Sequence, residues 1–333
     1  MKPQELLMGM EVAYRVGSPI RTQLPVPVAL QEMCNVIEVE PGERVWVPTN
    51  VNEDDDVVYN VDTTNAIITT QKVDPIDETQ LTFKQLNSPL YRVNLPAIID
   101  APNGDVVLAQ KKEAVTDGMD KTEVRVLIAA LFSGASRTNG GAPSNQAINT
   151  VTPTSNDDLY DVIADMFKVV EDYCDDDFAL LCGSTVYNEI KEYDKKKALT
   201  FNYRIGLMEF IAQHNTKLVK ISGVVKNTND SAGTALMDPN KLLLVGRKSM
   251  ISAGKPITFV RRKISTAGYP GFEVDAKLQR GFLYAPMPIV DTVGGAAYNL
   301  LSYGLMGYES VIFTVNNPHA IAITTDLSAA GVY

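Results

Sequence analysis

A chain of 333 residues with 30 Lys and Arg against 40 Asp and Glu carries a net charge of −10, and an isoelectric point of about 4.8 excludes a protein that grips nucleic acid through a broad basic surface. Hydrophobic residues at 45% against 21% charged ones exclude global disorder, and the length allows two domains or one large core with appendages. No apolar run approaches the ~18 residues of a membrane span, and the start of the chain lacks a basic stretch followed by an apolar one, so neither insertion nor secretion is expected.

The first hundred or so residues read as an extended arm, with β-branched and proline-rich stretches but no sustained helical period. Strand-like runs at 45–47, 57–61 and 66–70 are separated by Pro48, Asn50, Asn52 and the acidic run Glu53, Asp54, Asp55, Asp56. Such an arm closes no core by itself, and a neighbouring copy is the expected surface for it.

After the turn signal at Pro102-Asn103-Gly104-Asp105 the pattern becomes helical. Val124, Leu127, Ile128, Leu131 and Phe132 recur at helical spacing, with Asp120 placed to cap and Gly134 to stop; a shorter pattern at 106–115 precedes them across Gly118. Residues 134–155 are Ser, Thr, Asn, Gly and Pro with little to bury, which predicts a flexible surface loop or a domain junction. A second helix follows, capped by Ser155, Asn156 or Asp157 and lined by Leu159, Val162, Ile163, Met166, Val169, Val170 and Tyr173.

Phe178-Ala179-Leu180-Leu181-Cys182 reads as a buried strand, and Gly183-Ser184 opens a helix through Val186, Ile190 and Tyr193; a further helix is expected over 203–214. Strands are expected at 218–225, 241–245, 257–263, 272–278, 282–285 and 310–315, with Pro286 and Pro288 among the separators. No repeat of fixed period stands out, and central helices followed by late strands give an α+β class.

Recognisable catalytic chemistry is scarce. His214 closes a helix and His319 sits in a turn after Asn316-Asn317-Pro318, so both are expected to be structural, and Gly294-Gly295 lacks the spacing of a phosphate cradle. Cys34, Cys174 and Cys182 form an odd set without paired metal spacing, which points to free thiols in a reducing compartment. The triplets 54–56 and 175–177 offer carboxylates for a divalent cation, but consecutive side chains diverge and the alternating ligand spacing of a calcium loop is absent. No metal or cofactor is therefore expected.

Charge falls in blocks. Residues 51–80 hold eight acidic side chains against Lys72 alone, 157–194 hold twelve against Lys168 and Lys191, and 241–280 hold nine basic side chains against Glu273 and Asp275. Basic zones facing acidic zones would register copies head to tail; the same blocks serve equally as solvated faces or as partners within one subunit. The acidic run Glu53, Asp54, Asp55, Asp56 and the basic cluster Arg261, Arg262, Lys263 are the candidate subunit-interface residues, with salt bridging to an acidic partner the expected use of the basic cluster. On a strand these basic side chains alternate between faces and cannot form one phosphate-reading surface.

The order of these features resembles the tailed-phage major capsid proteins of the HK97-like fold. The segment that carries the likeness is Asp177 to Ser184 followed by Tyr187-Asn188-Glu189-Ile190, a strand, a turn and a helix, with Val219 to Val225 and Leu242 to Gly246 after it. The resemblance implies an N-terminal arm over 1–42, an extended β-hairpin loop over 43–74 and a peripheral domain with a spine helix over 75–155. An axial domain over 156–285 and C-terminal strands over 286–333 returning to the peripheral domain complete the layout.

It further implies a structural protein, not an enzyme, that self-assembles as hexamers and pentamers into an icosahedral shell around a double-stranded DNA phage genome. The implied partners are copies of itself, DNA packaged without sequence-specific binding, and no membrane, with a separate scaffolding protein, portal and decoration proteins left open. Its place would be the virion, assembled in the host bacterial cytoplasm. Two other readings stand beside this one: an encapsulin-like compartment shell, and a soluble oligomeric enzyme with dispersed site residues.

Overall fold

The computed structural model describes residues 33–50, 77–94, 104–174, 177–197, 205–225, 233–247, 254–265, 272–275, 280–293 and 296–332. The chain enters on β1 (Cys34–Val39) and turns into β2 (Trp46–Pro48), β3 (Glu78–Gln80), β4 (Lys84–Asn87) and β5 (Tyr91–Asn94). Next come α1 (Gly104–Phe132), β6 (Asn149–Val151), α2 (Leu159–Val170), β7 (Phe178–Cys182), α3 (Ser184–Lys197) and α4 (Leu207–Gln213). The later elements are β8 (Thr216–Lys220), β9 (Val224–Val225), β10 (Thr234–Ala235), β11 (Leu242–Gly246), β12 (Ile257–Arg262), β13 (Phe272–Asp275), β14 (Arg280–Val293), β15 (Ala296–Val315) and β16 (Ile321–Thr324).

A five-stranded sheet in the order β6-β16-β11-β7-β8 is the best buried layer of the molecule. β7 and β11 are buried along their whole length, as expected of strands covered on both faces. The period of two sorts their side chains: Phe178, Leu180, Cys182, Leu242 and Leu244 pack with α2, α3 and α4, whereas Ala179, Leu181, Leu243 and Val245 pack toward α1 and the second sheet.

Helix α2 is capped by Asp158, one residue beyond the expected candidates; its carboxylate accepts from the Tyr160 and Asp161 amides, and its other oxygen accepts from the Tyr193 hydroxyl of α3 at 2.7 Å. The buried stripe of α2 includes Phe167 and leaves Val169 exposed, because the helices packed beside it cover the Phe167 side. Helix α4 is shorter than expected at its start; the Asp194 carboxylate of α3 accepts from the Leu207 amide at 2.8 Å and fixes its entry, and the expected residues 203 and 204 lie outside the described ones.

The second sheet has seven strands and is organised by β15. Tyr308 pairs with Gly281 of β14 and Asn87 of β4, and Val311 pairs with Arg261 of β12 and Lys84 of β4. Hence β14 and β12 follow one another along one side of β15, and β5 and β4 along the other. β1 lies parallel to β12 at one end of the order and β13 pairs with β14 at the other. Sequence patterning expected β12 and β13 at 257–263 and 272–278, but only 282–285 of β14 and 310–315 of β15, and did not mark β16.

Pro286 and Pro288 stand inside β14. They are two residues apart, so both nitrogens face the same way, and β13 pairs β14 only from Arg280 to Leu283, so beyond that point the missing donors are accommodated on an edge.

Helix α1 runs unbroken for 29 residues, about 43 Å at 1.5 Å per residue. Neither a break at Gly118 nor a cap at Asp120 exists: the helix passes through both, and the Thr122 hydroxyl donates back to the Gly118 carbonyl at 2.8 Å. Asp120 is instead an ion-pair partner of Arg280. Val115, Met119, Val124, Leu127, Ile128 and Leu131 form the buried stripe, and Gly134, at φ 59, ends the helix as expected. The helix presses on β15 at Gly307, where a Cβ would lie 2.6 Å from Val115 and from Met119, so only glycine lets the two backbones approach.

Residues 134–155 are more ordered than their composition suggests. Arg137 is buried there, and β6 adds a parallel edge to β16.

Candidate assembly surface and the joint behind it

β2 and β3 pair in antiparallel register, Trp46 with Gln80 and Pro48 with Glu78, and form the stem of an excursion whose residues 51–76 are not described. Val45 and Val47 turn inward onto Val39, Leu81, Val260 and Ile312, while Trp46, the only tryptophan, is 51% exposed. On β1, Val36 and Ile37 are also exposed, and among the described residues the outer edge of β1 has no partner strand. An unpaired edge carrying apolar side chains is a docking site for another chain unless something covers it. β8, the edge of the other sheet, carries Lys217 and Lys220, the residue type that discourages such pairing.

The stem is rooted by Arg137, whose burial in an otherwise polar loop the sequence did not flag. Its Nε donates to the Pro48 carbonyl at 3.0 Å, and its Nη1 reaches the Gly141 carbonyl at 3.3 Å, the Thr314 hydroxyl at 3.1 Å and the Val315 carbonyl. These acceptors are neutral, and burial draws the guanidinium down to about 10. One side chain thereby ties together the stem, the loop after α1 and the end of β15. The Thr82 and Ser144 amides add bonds to the Thr138 and Thr49 carbonyls, each at 2.9 Å.

Behind this surface, α1 is joined to the seven-stranded sheet by buried charges. Arg280 of β14, fully buried, contacts the carboxylates of Asp120, of Glu123 (3.2 Å) and of Glu309 (2.5 Å). Arg261 of β12, 4% exposed, lies 3.4 Å from Glu123 and stacks over the Phe259 ring. Burial works against the Arg280 charge, but Glu123, Glu309 and Asp120 outweigh it and hold the guanidinium above its ordinary range. Burial, and next the Glu123 carboxylate, push Glu309 up to about 7 despite Arg280 and Arg261.

Of the residues singled out in the sequence, Glu53, Asp54, Asp55 and Asp56 lie outside the described residues. The basic cluster divides by face as strand alternation requires. Arg261 points inward to Glu123; Arg262 stacks over Phe83 and donates to the Glu43 carbonyl at 3.3 Å; Lys263 pairs with Glu40 at 2.6 Å, and that hydrogen bond raises its pKa. Each therefore has a partner within its own subunit.

The histidines are packed side chains: His214 stacks on Phe167 with centroids 4.3 Å apart and has Nδ1 3.1 Å from Glu171, and His319 stacks on Tyr173. Cys34 and Cys182 are buried free thiols, burial pushing the first up to about 12 and the second higher still; Cys174 is buried and in no disulfide. Among the described residues no group of His, Cys, Asp and Glu is placed to hold a metal ion, and no helix is long and apolar enough to cross a membrane.

The same architecture occurs in solved shells. The chain superposes on the "Capsid of native GTA particle computed with C5 symmetry" with a TM-score of 0.52 at 13% identity, covering 92% of each chain. The empty form of that particle gives 0.51 at 12% identity, covering 92% of this chain and 91% of the other. The SrpI encapsulin of Synechococcus elongatus, at 12% identity over 95% of both chains, gives 0.49 and adds no weight. No protein-family model matches the sequence, and no curated protein matches it. The chain thus has the α+β architecture of the HK97-like capsid fold, matched along nearly its whole length.

Proposed function

We propose that this chain is a major capsid protein whose copies assemble, as hexamers and pentamers, into an icosahedral shell around a double-stranded DNA phage genome, within a virion built in the bacterial cytoplasm. The observation that carries the reading is the correspondence of fold with GTA-particle capsids over more than nine-tenths of both chains, at TM-scores above 0.5. It is supported by the exposed apolar side chains at the stem and by the β1 edge, unpaired among the described residues, which suit contact with further copies.

In this reading the arm is 1–42, the loop 43–74, the peripheral domain 75–155, the axial domain 156–285 and the returning strands 286–333. Glu53, Asp54, Asp55 and Asp56 of one copy approach the exposed Lys263 and its neighbour Arg262 on the next, while Arg261 serves its own subunit. The protein acts as a wall, without catalysis or cofactor; its partners are copies of itself and the packaged DNA, with a separate scaffolding protein, portal and decoration proteins left open.

Electron microscopy of the expressed protein, with the void fraction from size exclusion retained, tests this. Closed shells or hexameric sheets are expected, with nucleic acid inside when recovered from infected or inducing cells. Shells that hold protein cargo and no nucleic acid would move the reading to a compartment. A small discrete oligomer that persists under added salt and crowding agent would overturn it.

A further inference from the structure

We propose that the buried joint between α1 and the seven-stranded sheet binds one proton near neutral pH, held by Glu309, so that the attachment of the helix to the sheet tightens in mild acid and loosens as pH rises. The charges facing Glu309 come from three elements. Arg280 arrives from β14, Arg261 from β12, and Glu123 from α1, with Asp120 one turn earlier on α1 bound to the far nitrogen of Arg280. β4 sets the apolar Leu86 opposite Glu309, with Lys84 two pairs further along, and Glu273 of β13 is taken up by Lys112 at 2.6 Å.

Counted at full ionisation among the described side chains, two guanidiniums meet three carboxylates, leaving one uncompensated negative charge in a largely buried place. Such a charge is far more costly to bury than a carboxylic acid. Each carboxylate's surroundings decide which takes the proton. Glu123 lies between both guanidiniums. Asp120 contacts Arg280 and is 16% exposed. Glu309 is 1% exposed, contacts a single guanidinium through Oε2, and has an Oε1 with no hydrogen-bond partner. A carboxylate oxygen so placed gains least from ionising, in accord with its pKa of about 7.

A carboxyl whose folded pKa lies above its unfolded value of 4.5 contributes its full stability below that value, and loses it as pH rises through about 7. The folding equilibrium constant accordingly falls by roughly 10²-fold between pH 4.5 and 8 from this group alone. The inference concerns the joint itself and stands whether or not the protein builds a shell.

Infrared difference spectra of the purified full-length protein, taken from pH 5 to 9, test it. A protonated-carboxyl carbonyl band is expected at pH 6 and gone by pH 8.5, and Glu309→Gln should delete it while flattening the pH dependence of the denaturant midpoint. Absence of any carboxyl band titrating in this range, or its survival in Glu309→Gln, overturns the proposal. If that variant does not fold, Glu123→Gln decides: removal of the neighbouring negative charge should move the band's midpoint to lower pH, and an unchanged midpoint refutes the assignment.

Discussion

The five-stranded sheet and the joint between α1 and the seven-stranded sheet are both buried, yet they are held by opposite chemistry. In the first, Leu180, Leu242 and Leu244 meet the helices with apolar surface, so each contact is tolerant of its neighbours' ionisation. In the second, Arg280, Arg261, Glu123 and Glu309 are desolvated together, and each makes sense only while the others keep their charge or their proton. Cohesion by apolar burial is additive and insensitive to solution conditions; cohesion by buried charge is collective and conditional.

Mutation separates the two. Arg280→Met should give the largest loss, about 3–5 kcal/mol at pH 8, because it strands three carboxylates beside Arg261 alone. Its cost should shrink by pH 5, as protons replace the missing cation, and denaturant unfolding at the two pH values measures the difference. Leu244→Ala should cost a comparable amount, about 2–5 kcal/mol, from lost burial and the cavity left between β11 and the α2 stripe. That cost should be the same at pH 5 and pH 8; a pH-dependent value would erase the contrast between the regions.

The smallest effect has the opposite sign. Gly118→Ala places a methyl group where nothing lies within 4 Å, in the middle of α1, and should stabilise the protein by up to about 1 kcal/mol. A thermal melt lower than that of the parent would mean that the glycine has a role other than permissive helix.

What was legible in the sequence follows the same division. Phe178 to Cys182, Leu242 to Val245 and the α2 stripe were readable because apolar burial leaves a local period or an unbroken apolar run. The charged joint was not, because Arg280 and Glu309 are 29 residues apart and meet only through the pairing of β14 with β15. That hairpin did leave a trace: Gly294-Gly295 lies between Val293 and Ala296, and a Gly-Gly pair favours a two-residue hairpin connection. Weighing it only as a phosphate cradle, and reading Pro286 and Pro288 as strand ends, hid a register that would have set Arg280 against Glu309.

Gly118 and Asp120 misled for a related reason. Both carry strong local preferences, for breaking and for capping, and in α1 tertiary contacts override them: the helix is pinned onto β15 at Gly307, and Asp120 is claimed by Arg280. Arg137 could not have been found by pattern at all, since its acceptors are backbone carbonyls and a hydroxyl drawn from distant parts of the chain. Within the subunit, strand alternation divides the basic cluster, sending Arg261 inward to Glu123 and setting Arg262 at the Glu43 carbonyl and Lys263 at Glu40.

The position of β15 in both the sheet and the chain sets the timetable of folding. β4, β5 and β14 all require this strand, and the bond from the Gly307 amide to the Ser88 hydroxyl spans 219 residues. On a ribosome, β1 emerges long before β12, and β4 and β5 long before β15, so their edges stay open in the interval. Completion of the seven-stranded sheet thus waits on residues 296–315, and a nascent chain stalled before residue 296 would present those edges to any other chain nearby.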